Sequence, residues 1–557
     1  MFALLLILAL LLPFELTRPL FFVGSIGITS VELPLYALIV LSVVRRQPWR
    51  PSAWTLVHWA ALAWAVAHLA SAASVEVDRG SAMRFALRMS IGAALVFPVS
   101  ATTRAPGRAA RVLVALVAGA ILSATLAVAE AFLPGAAPLL APFKTVTARV
   151  AATLRAGGPF QYPNPAALYW GAALPSLLAL DAWAGQSGHV RFWTVAGGGL
   201  LAAAVVATGS RGGLLAVAVV LGLLSLVRAG SLRRSALVVL AGLAAAVVVF
   251  SWVHPALMLR DSILSGEAPW FAGRFELLGP APEIGAGQEA RVRVQARNVG
   301  TLVWDSSGPT PMALGAQWLD AEGRIVHEDF VTPIQSPVAP GATALLDAQV
   351  TAPEHPGRYR LRWQLVLGGT SFESSAAASG DVPISIAGPP FSPARSWPVP
   401  RPTQRQVTRL ELWRAGWRMW RERPLLGVGP DGFRRLYSGY LGPRLLDVRV
   451  NANSLYVETL ADLGLAGVVA LGFVFAALCG AAWVAWPRGG GPVGWLVVGP
   501  AAALATFALH GIVDSVLAFT PLYGLFWIHA GLLAGRAEPT RAPSQGRLPD
   551  QRNSKGA

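Results

Sequence analysis

Arg211 stands in Thr208-Gly209-Ser210-Arg211-Gly212-Gly213, between two apolar runs. A guanidinium at membrane depth is costly unless it is paired, snorkels from a helix end, or performs a function. A second concentration of charge lies between residues 395 and 449: twelve arginines (395, 401, 405, 409, 414, 418, 421, 423, 434, 435, 444 and 449) face four acids, Glu411, Glu422, Asp431 and Asp447. Charge of one sign on this scale implies an anionic partner, and both lipid headgroups and an anionic substrate fit it. Arg409, Trp413, Trp417 and Trp420 recur at near-helical spacing, which predicts an amphipathic helix lying on a membrane surface. After them comes Pro424-Leu425-Leu426-Gly427-Val428-Gly429-Pro430-Asp431-Gly432. Glycines let backbone approach a ligand closely and turn N–H groups toward an anion, so a phosphate-facing loop is chemically sensible here. The chain has no Asp-x-Asp pair in a suitable position, no Cys/His ligand spacing and no nucleotide-binding loop. That disfavours metal catalysis and nucleotide-sugar donors, and no cofactor is expected.

These residues must be held by a membrane scaffold. Of 557 residues, 54% are hydrophobic and 13% charged, with mean hydropathy +0.52, so there are too few polar side chains to cover a soluble globule of this size. Twelve apolar runs near the length needed to span a bilayer as helix lie at 2–16, 28–44, 53–73, 83–100, 111–133, 164–182, 192–208, 211–228, 235–253, 455–486, 493–513 and 516–535. The first lacks a basic leader and a good cleavage site, so it reads as a retained span. Arg45, Arg46 and Arg50, then Arg104, Arg108 and Arg111, then Arg228, Arg233 and Arg234 all fall after even-numbered or before odd-numbered spans. Positive residues near span ends stay cytoplasmic, which puts both termini inside and the segment from about 254 to 454 outside, in the periplasm of a bacterial inner membrane. The formal charge of +16 is almost wholly arginine that flanks spans or lies on the far side of the membrane, so nucleic acid is not an expected partner. Cys479 is the single cysteine and leaves the outer segment without disulfides.

The expected organisation is N-terminal membrane helices over 1–253, a linker at 254–273, a β-domain at 274–387, a basic periplasmic segment at 388–454, C-terminal membrane helices over 455–535 and a disordered cytoplasmic tail over 536–557. Within 274–387, alternating runs such as Ala290-Arg291-Val292-Arg293-Val294 and Tyr359-Arg360-Leu361-Arg362-Trp363, set between Gly/Pro turns, predict an antiparallel β-sandwich. Asn298-Val299-Gly300-Thr301 with Trp304, Pro340-Gly341 and Pro356-Gly357-Arg358-Tyr359 resembles the immunoglobulin-like modules appended to bacterial surface-polysaccharide proteins. Trp304, Trp318 and Trp363 fit buried sandwich core better than a sugar-stacking platform.

Four sets of residues, met in order, resemble the O-antigen ligase and polymerase superfamily. The first is Gly158-Pro159-Phe160-Gln161-Tyr162-Pro163-Asn164-Pro165, and the second is the Arg211 turn. The third joins Arg409-Leu410-Glu411-Leu412-Trp413 to the Pro424–Phe433 turn, with Arg405 just upstream. The fourth, Asn451-Ala452-Asn453-Ser454-Leu455-Tyr456-Val457-Glu458 through Gly467, is the most specific, and His510-Gly511-Ile512-Val513-Asp514 completes it. The resemblance implies a polytopic α-helical membrane protein of about 12 transmembrane helices, C-type glycosyltransferase-like, here with an all-β insertion in its large periplasmic loop. It further implies a metal-independent glycosyltransferase taking a polyprenyl-pyrophosphate-linked glycan as donor and a glycan, lipid core or protein as acceptor, with membrane lipids around it. Arg211, Arg409, Glu458 and His510 take the catalytic roles by this resemblance, and Asn164, Arg405, Gly427, Gly429, Asn451, Asn453, Tyr456 and Asp514 the substrate-binding ones.

One departure matters. Ligases of this kind carry histidine where this chain has Asn453, and an amide cannot accept a proton at neutral pH. Either the base lies elsewhere, at Glu458 or His510, or deprotonation is late and the leaving pyrophosphate drives transfer; a polymerase or allied transfer then fits better than ligation to a lipid core. His510 also fits a plain helix–helix hydrogen bond. A transporter of lipid-linked glycans would show internal repeats, and none is visible; a non-catalytic surface-assembly protein would need fewer spans.

Overall fold

The computed structural model describes the chain apart from residues 24–25, 47–48, 50–53, 76–77, 145–148, 151–152, 186–187, 228–229, 254–271, 302, 305–311, 329–331, 368–369, 373–380, 389–407, 442–449, 487–491 and 538–557. Arg405 and the rest of residues 389–407, most of the 254–273 linker and most of the tail therefore lie outside the described residues.

A helix or helix pair occupies each of the twelve apolar runs. In chain order they are α1 (Phe2–Leu11), α2 (Glu32–Arg45), α3 (Leu56–Ser74), α4 (Arg79–Ala94), α5 (Val96–Thr102), α6 (Pro106–Phe132), the four-residue α7 (Ala137–Leu140), α8 (Pro163–Ala184), α9 (Gly188–Ala207), α10 (Arg211–Leu226) and α11 (Gly230–Val253). After the β-structure come α12 (Arg409–Glu422) and α13 (Gly432–Leu441), followed by α14 (Leu455–Ala485), α15 (Trp495–His510) and α16 (Thr520–Ala537). Among the described residues six helices are long and apolar enough to cross a membrane: Leu56–Ser74, Arg79–Thr102, Pro106–Phe132, Leu232–Val253, Leu455–Ala485 and Pro492–His510. Phe2–Leu11, Arg191–Ala207 and Arg211–Leu226 are shorter apolar helices. This set fits a polytopic helical membrane protein. Side chains such as Trp252 (89% exposed) face outward from it, as lipid-facing positions do, while Trp170, Tyr169 and Phe507 fill the interior.

Local sequence fixes where the site-bearing helices start. Pro163 at the first turn of α8, Ser210 ahead of α10 and Ser454 ahead of α14 are start signals; Ser210 Oγ accepts from Gly213 N at 3.3 Å. A reciprocal capping box begins α12: Thr408 N donates to Glu411 Oε2 (2.9 Å) and Glu411 N to Thr408 Oγ1 (3.3 Å).

Between α11 and α12 the described chain is β-structure. Counting two short hairpins earlier in the chain (β1 Phe21–Val23 with β2 Ile26–Ile28, and β3 Arg149–Val150 with β4 Thr153–Leu154), the strands are β5 (Gly273–Leu278), β6 (Ile284–Gly285), β7 (Glu289–Asn298), β8 (Met312–Leu319), β9 (Ile325–Glu328), β10 (Thr332–Pro333), β11 (Thr343–Thr351), β12 (Gly357–Leu367), β13 (Thr370–Phe372) and β14 (Val382–Ala387). One antiparallel sheet has the order β11-β7-β5; the other runs β10-β8-β12-β14-β6, with β9 on β8 and β13 on β12. The sheets share one apolar core, in which Trp304, Trp318 and Trp363 are almost wholly buried and Trp304 stacks on Phe275. All three tryptophans are therefore core, and none forms an exposed stacking surface.

Candidate functional site

The most consequential local feature is a break in α14. Gly464 has φ 61° and ψ −155°, a conformation open only to glycine, and the helix ladder is interrupted there. The Pro424–Gly429 loop fills the gap with its own backbone. Val428 N donates to Ala461 O (2.9 Å) and Gly429 N to Asp462 O (2.9 Å), while Leu465 N and Ala466 N donate to Pro424 O (2.8 Å) and Leu425 O (3.0 Å). Ser71 Oγ of α3 sits within bonding distance of both Leu426 O (2.6 Å) and Asp462 O (2.8 Å). The Asp462 carboxylate accepts from Asp431 N (2.9 Å) and Phe433 N (2.7 Å), which sets the start of α13.

This arrangement corrects one expectation. Gly427 N donates to Arg423 O (3.0 Å) and Gly429 N to Asp462 O, so neither N–H is turned toward an anion. The glycines are required instead by backbone approach to α14: a Cβ on Gly427 would lie 2.4 Å from the carbonyl of Asp462. The close approach read from the sequence is real, and its target is protein.

α12 and α13 lie over this loop and are tied back to the bundle. Leu412, Ala415, Gly416 and Met419 form the inner face of α12, packed on Phe433 and Tyr437 of α13, while Trp417 is half exposed. Trp413 Nε1 donates to Ala452 O (3.1 Å). Tyr440 donates to Glu422 Oε2 (2.5 Å); burial and that carboxylate push the phenol up to about 12, so it stays a donor. Arg435 ion-pairs with Asp78, the residue that caps α4.

The remaining candidates gather beside it through direct contacts. Asn451 Oδ1 accepts from Asn453 N (2.9 Å), and Asn453 has φ 48°, a left-handed conformation that asparagine tolerates. Glu458 is buried and Oε2 accepts from Ala452 N (3.0 Å), which holds this turn. Leu455 N donates to Gly511 O (2.8 Å) and Asp514 O (3.0 Å), and Tyr456 donates to Ala508 O (2.8 Å). His510, 1% exposed, packs under the Arg211 turn: a Cβ on Gly213 would lie 3.3 Å from its Cε1. Asp514 Oδ2 stands 3.9 Å from His510 Nε2. On the other side of the turn Arg155 Nε donates to Thr208 O (2.7 Å) and its Nη2 to Asn164 Oδ1 (2.7 Å). Arg155 carries no motif and escapes a reading by pattern; its only signal is its place just before Gly158-Pro159-Phe160. Lys144 pairs with Glu130, whose Oε2 accepts from Gly157 N (3.1 Å) and Gly158 N (2.8 Å) and anchors the same segment.

Arg211 and Arg409, both exposed, are close enough for their charges to act on each other, and Arg409 acts on His510 as well. The structure thus brings Asn164, Arg211, Arg409, Asn451, Asn453, Glu458, Tyr456, His510 and Asp514 into one continuous region at an end of the bundle. Two exposed guanidiniums in one region suit a polyanionic group. Among the described residues no group of three or more His, Cys, Asp or Glu side chains is placed to hold a metal ion.

The architecture is that of a polytopic helical membrane protein, with arginines exposed at this corner. Residues 399–472 match the model of the O-antigen ligase family, which supports the O-antigen ligase and polymerase superfamily for the chain. The matched stretch contains α12, the glycine loop, α13 and the broken first half of α14. No curated protein matches the chain. With the apolar helices, the match supports a multi-pass bacterial inner-membrane protein of ligase or polymerase type, a glycosyl-transferring enzyme whose partners are a lipid-linked glycan and an acceptor.

Proposed function

We propose that this chain is a metal-independent polymerase-type glycosyltransferase. It transfers a glycan from a polyprenyl-pyrophosphate carrier to a hydroxyl of an acceptor glycan at the outer face of the inner membrane, through twelve spans with both termini cytoplasmic. The two sheets over 273–387 act as an accessory immunoglobulin-like module, and α12 with α13 forms an arginine-bearing cover over the donor pyrophosphate. The observation that carries this reading is the placing of two exposed arginines, Arg211 at the start of α10 and Arg409 at the start of α12, within the region that also holds the Asn451–Asn453 turn, in a chain whose residues 399–472 match the O-antigen ligase family. Like charges held together repel, and an anion placed between them relieves the repulsion. As the acceptor oxygen bonds to the anomeric carbon, the C–O bond to pyrophosphate breaks and its electron pair passes to a phosphate oxygen, where these cations stabilise the developing charge.

Burial bears on the missing base. Glu458 (9% exposed) and His510 (1% exposed) are buried, and Glu458 is engaged by the Ala452 amide. Late deprotonation therefore fits best: the acceptor proton passes to a departing phosphate oxygen, with Glu458 and His510 as positioning residues for the Asn451–Asn453 turn and the Arg211 turn. Asn451 and Asn453 orient the acceptor hydroxyl. Surface-glycan profiles of cells carrying R211A, R409A or H510Q at equal membrane levels test the assignment. The arginine variants are expected to abolish long product, with H510Q retaining part of it and showing the parent pH profile. Wild-type profiles from both arginine variants, or a pH limb that vanishes in H510Q, would overturn it.

A further inference from the structure

A cavity of about 250 Å³ lies where the end of α1 and the starts of α2, α8 and α16 converge on α4. None of the roles proposed above uses it. We infer that it is a subsite for one neutral sugar residue, and that this residue is the end of the acceptor glycan; the second clause rests on the transferase reading, the first does not.

Size and lining carry the inference. The volume is just below the range of ordinary ligand pockets, about 300–1,000 Å³, so it suits a single ring and not a chain. Its polar side chains include Glu15, Thr17, Thr29, Arg88, Gln161 and Thr520. Thr29 Oγ1 donates to Glu15 Oε1 (2.8 Å), and Arg88 Nε pairs with Glu32 Oε1 (2.6 Å) behind the wall. Two carboxylates thus flank one guanidinium, and an anionic ligand would add a third negative group. A hydrocarbon tail fails for the opposite reason, since it would strip Glu15 and Arg88 of water and return no hydrogen bond. A polyhydroxyl ring satisfies both: its hydroxyls donate to the carboxylate and accept from the guanidinium. Its C–H face has a surface to lie on where Tyr162 and Phe519 meet edge to face, 5.8 Å between centroids.

Position ties the cavity to the transfer site. Tyr162 immediately precedes α8, which carries Asn164, and Asn164 is linked through Arg155 to Thr208 beside Arg211. Phe519 belongs to the turn that follows Asp514. A sugar seated here has one wall from each of the two segments that flank the arginine corner.

Saturation-transfer NMR on the full chain in lipid nanodiscs tests this, with methyl hexosides, methyl N-acetylhexosaminides and methyl hexuronides as probes. At least one neutral glycoside should receive saturation and the hexuronides none. A518W, which fills the cavity, and T29V, which removes a hydroxyl at nearly constant volume, should each cut the signal at least fivefold. R211A should keep the signal. No transfer to any neutral glycoside, equal transfer to hexuronides, or a signal unchanged in both A518W and T29V overturns the subsite. A signal that behaves as expected in a parent chain that makes no product from a lipid-linked oligosaccharide leaves the sugar site standing and removes the transferase reading.

Discussion

A methyl group at Gly464 should undock the 424–429 loop from α14. Alanine there would hold a glycine-only conformation, at a cost of roughly 1–3 kcal/mol, and its Cβ would lie 2.6 Å from both carbon and oxygen of the Leu425 carbonyl. Backbone on both sides leaves no flexible side chain to give way. The alternative is for α14 to close its ladder and expel the loop, which forfeits the four main-chain bonds from Val428, Gly429, Leu465 and Ala466. At about 1 kcal/mol each, that is about 4 kcal/mol, or close to a thousandfold in local opening. Hydrogen exchange measured by mass spectrometry on the chain in nanodiscs should show protection across 424–441 falling by two to three orders of magnitude in G464A. G472A is the control: a Cβ there meets nothing within 4 Å, and alanine favours helix by up to about 1 kcal/mol. Protection of 424–441 in G464A within threefold of the parent would refute the claim that the broken helix holds the cover.

Three further outcomes follow from the same geometry. Asn453→Val should lower stability by about 1–2 kcal/mol, because a β-branched residue resists the left-handed backbone, whereas Asn453→His should cost less; thermal unfolding in detergent separates them. Arg155→Ala removes charged hydrogen bonds to Thr208 O and Asn164 Oδ1, each worth about 1.5–3 kcal/mol, and should reduce product formation at least tenfold, while Arg155→Lys, keeping the charge without the fork, recovers only part. The Ser81 hydroxyl, and then Arg435, hold the exposed Asp78 carboxyl below its ordinary 3.8. A depressed carboxyl contributes above its unfolded pKa and loses that contribution as pH falls through the folded value, so the protection factors of α13, taken relative to intrinsic exchange, should fall below about pH 4 in the parent and fall less in D78N.

The helical scaffold was legible in the sequence because apolar runs of spanning length have few other solutions: helices lie in these runs, and six among the described residues are long and apolar enough to cross a membrane. The sheets were legible for the same kind of reason: period-two runs such as Ala290–Ala296 alternate outward and inward along β7. Gly464 was not. Asp462-Leu463-Gly464-Leu465 continues an apolar helical pattern, and its break comes from a partner loop some forty residues earlier in the chain. Gly427 and Gly429 were recognised as points of close approach, but pattern cannot say what approaches, and here it is α14. The left-handed backbone at Asn453 accepts asparagine and histidine alike, so it accounts for the kind of residue there and not for the departure itself. Arg155 had no periodicity to mark it and became visible only when its two hydrogen bonds joined α8 to the Arg211 turn.

The central claim is that Arg211 and Arg409 act together on a departing pyrophosphate. Its most direct test is transfer by the purified chain in nanodiscs, supplied with a radiolabelled polyprenyl-pyrophosphate oligosaccharide and followed by gel. The account predicts longer product from the parent and a loss of at least a hundredfold in R211A and in R409A, with the double variant little worse than either. Full transfer by the double variant, folded and inserted as the parent is, would contradict it.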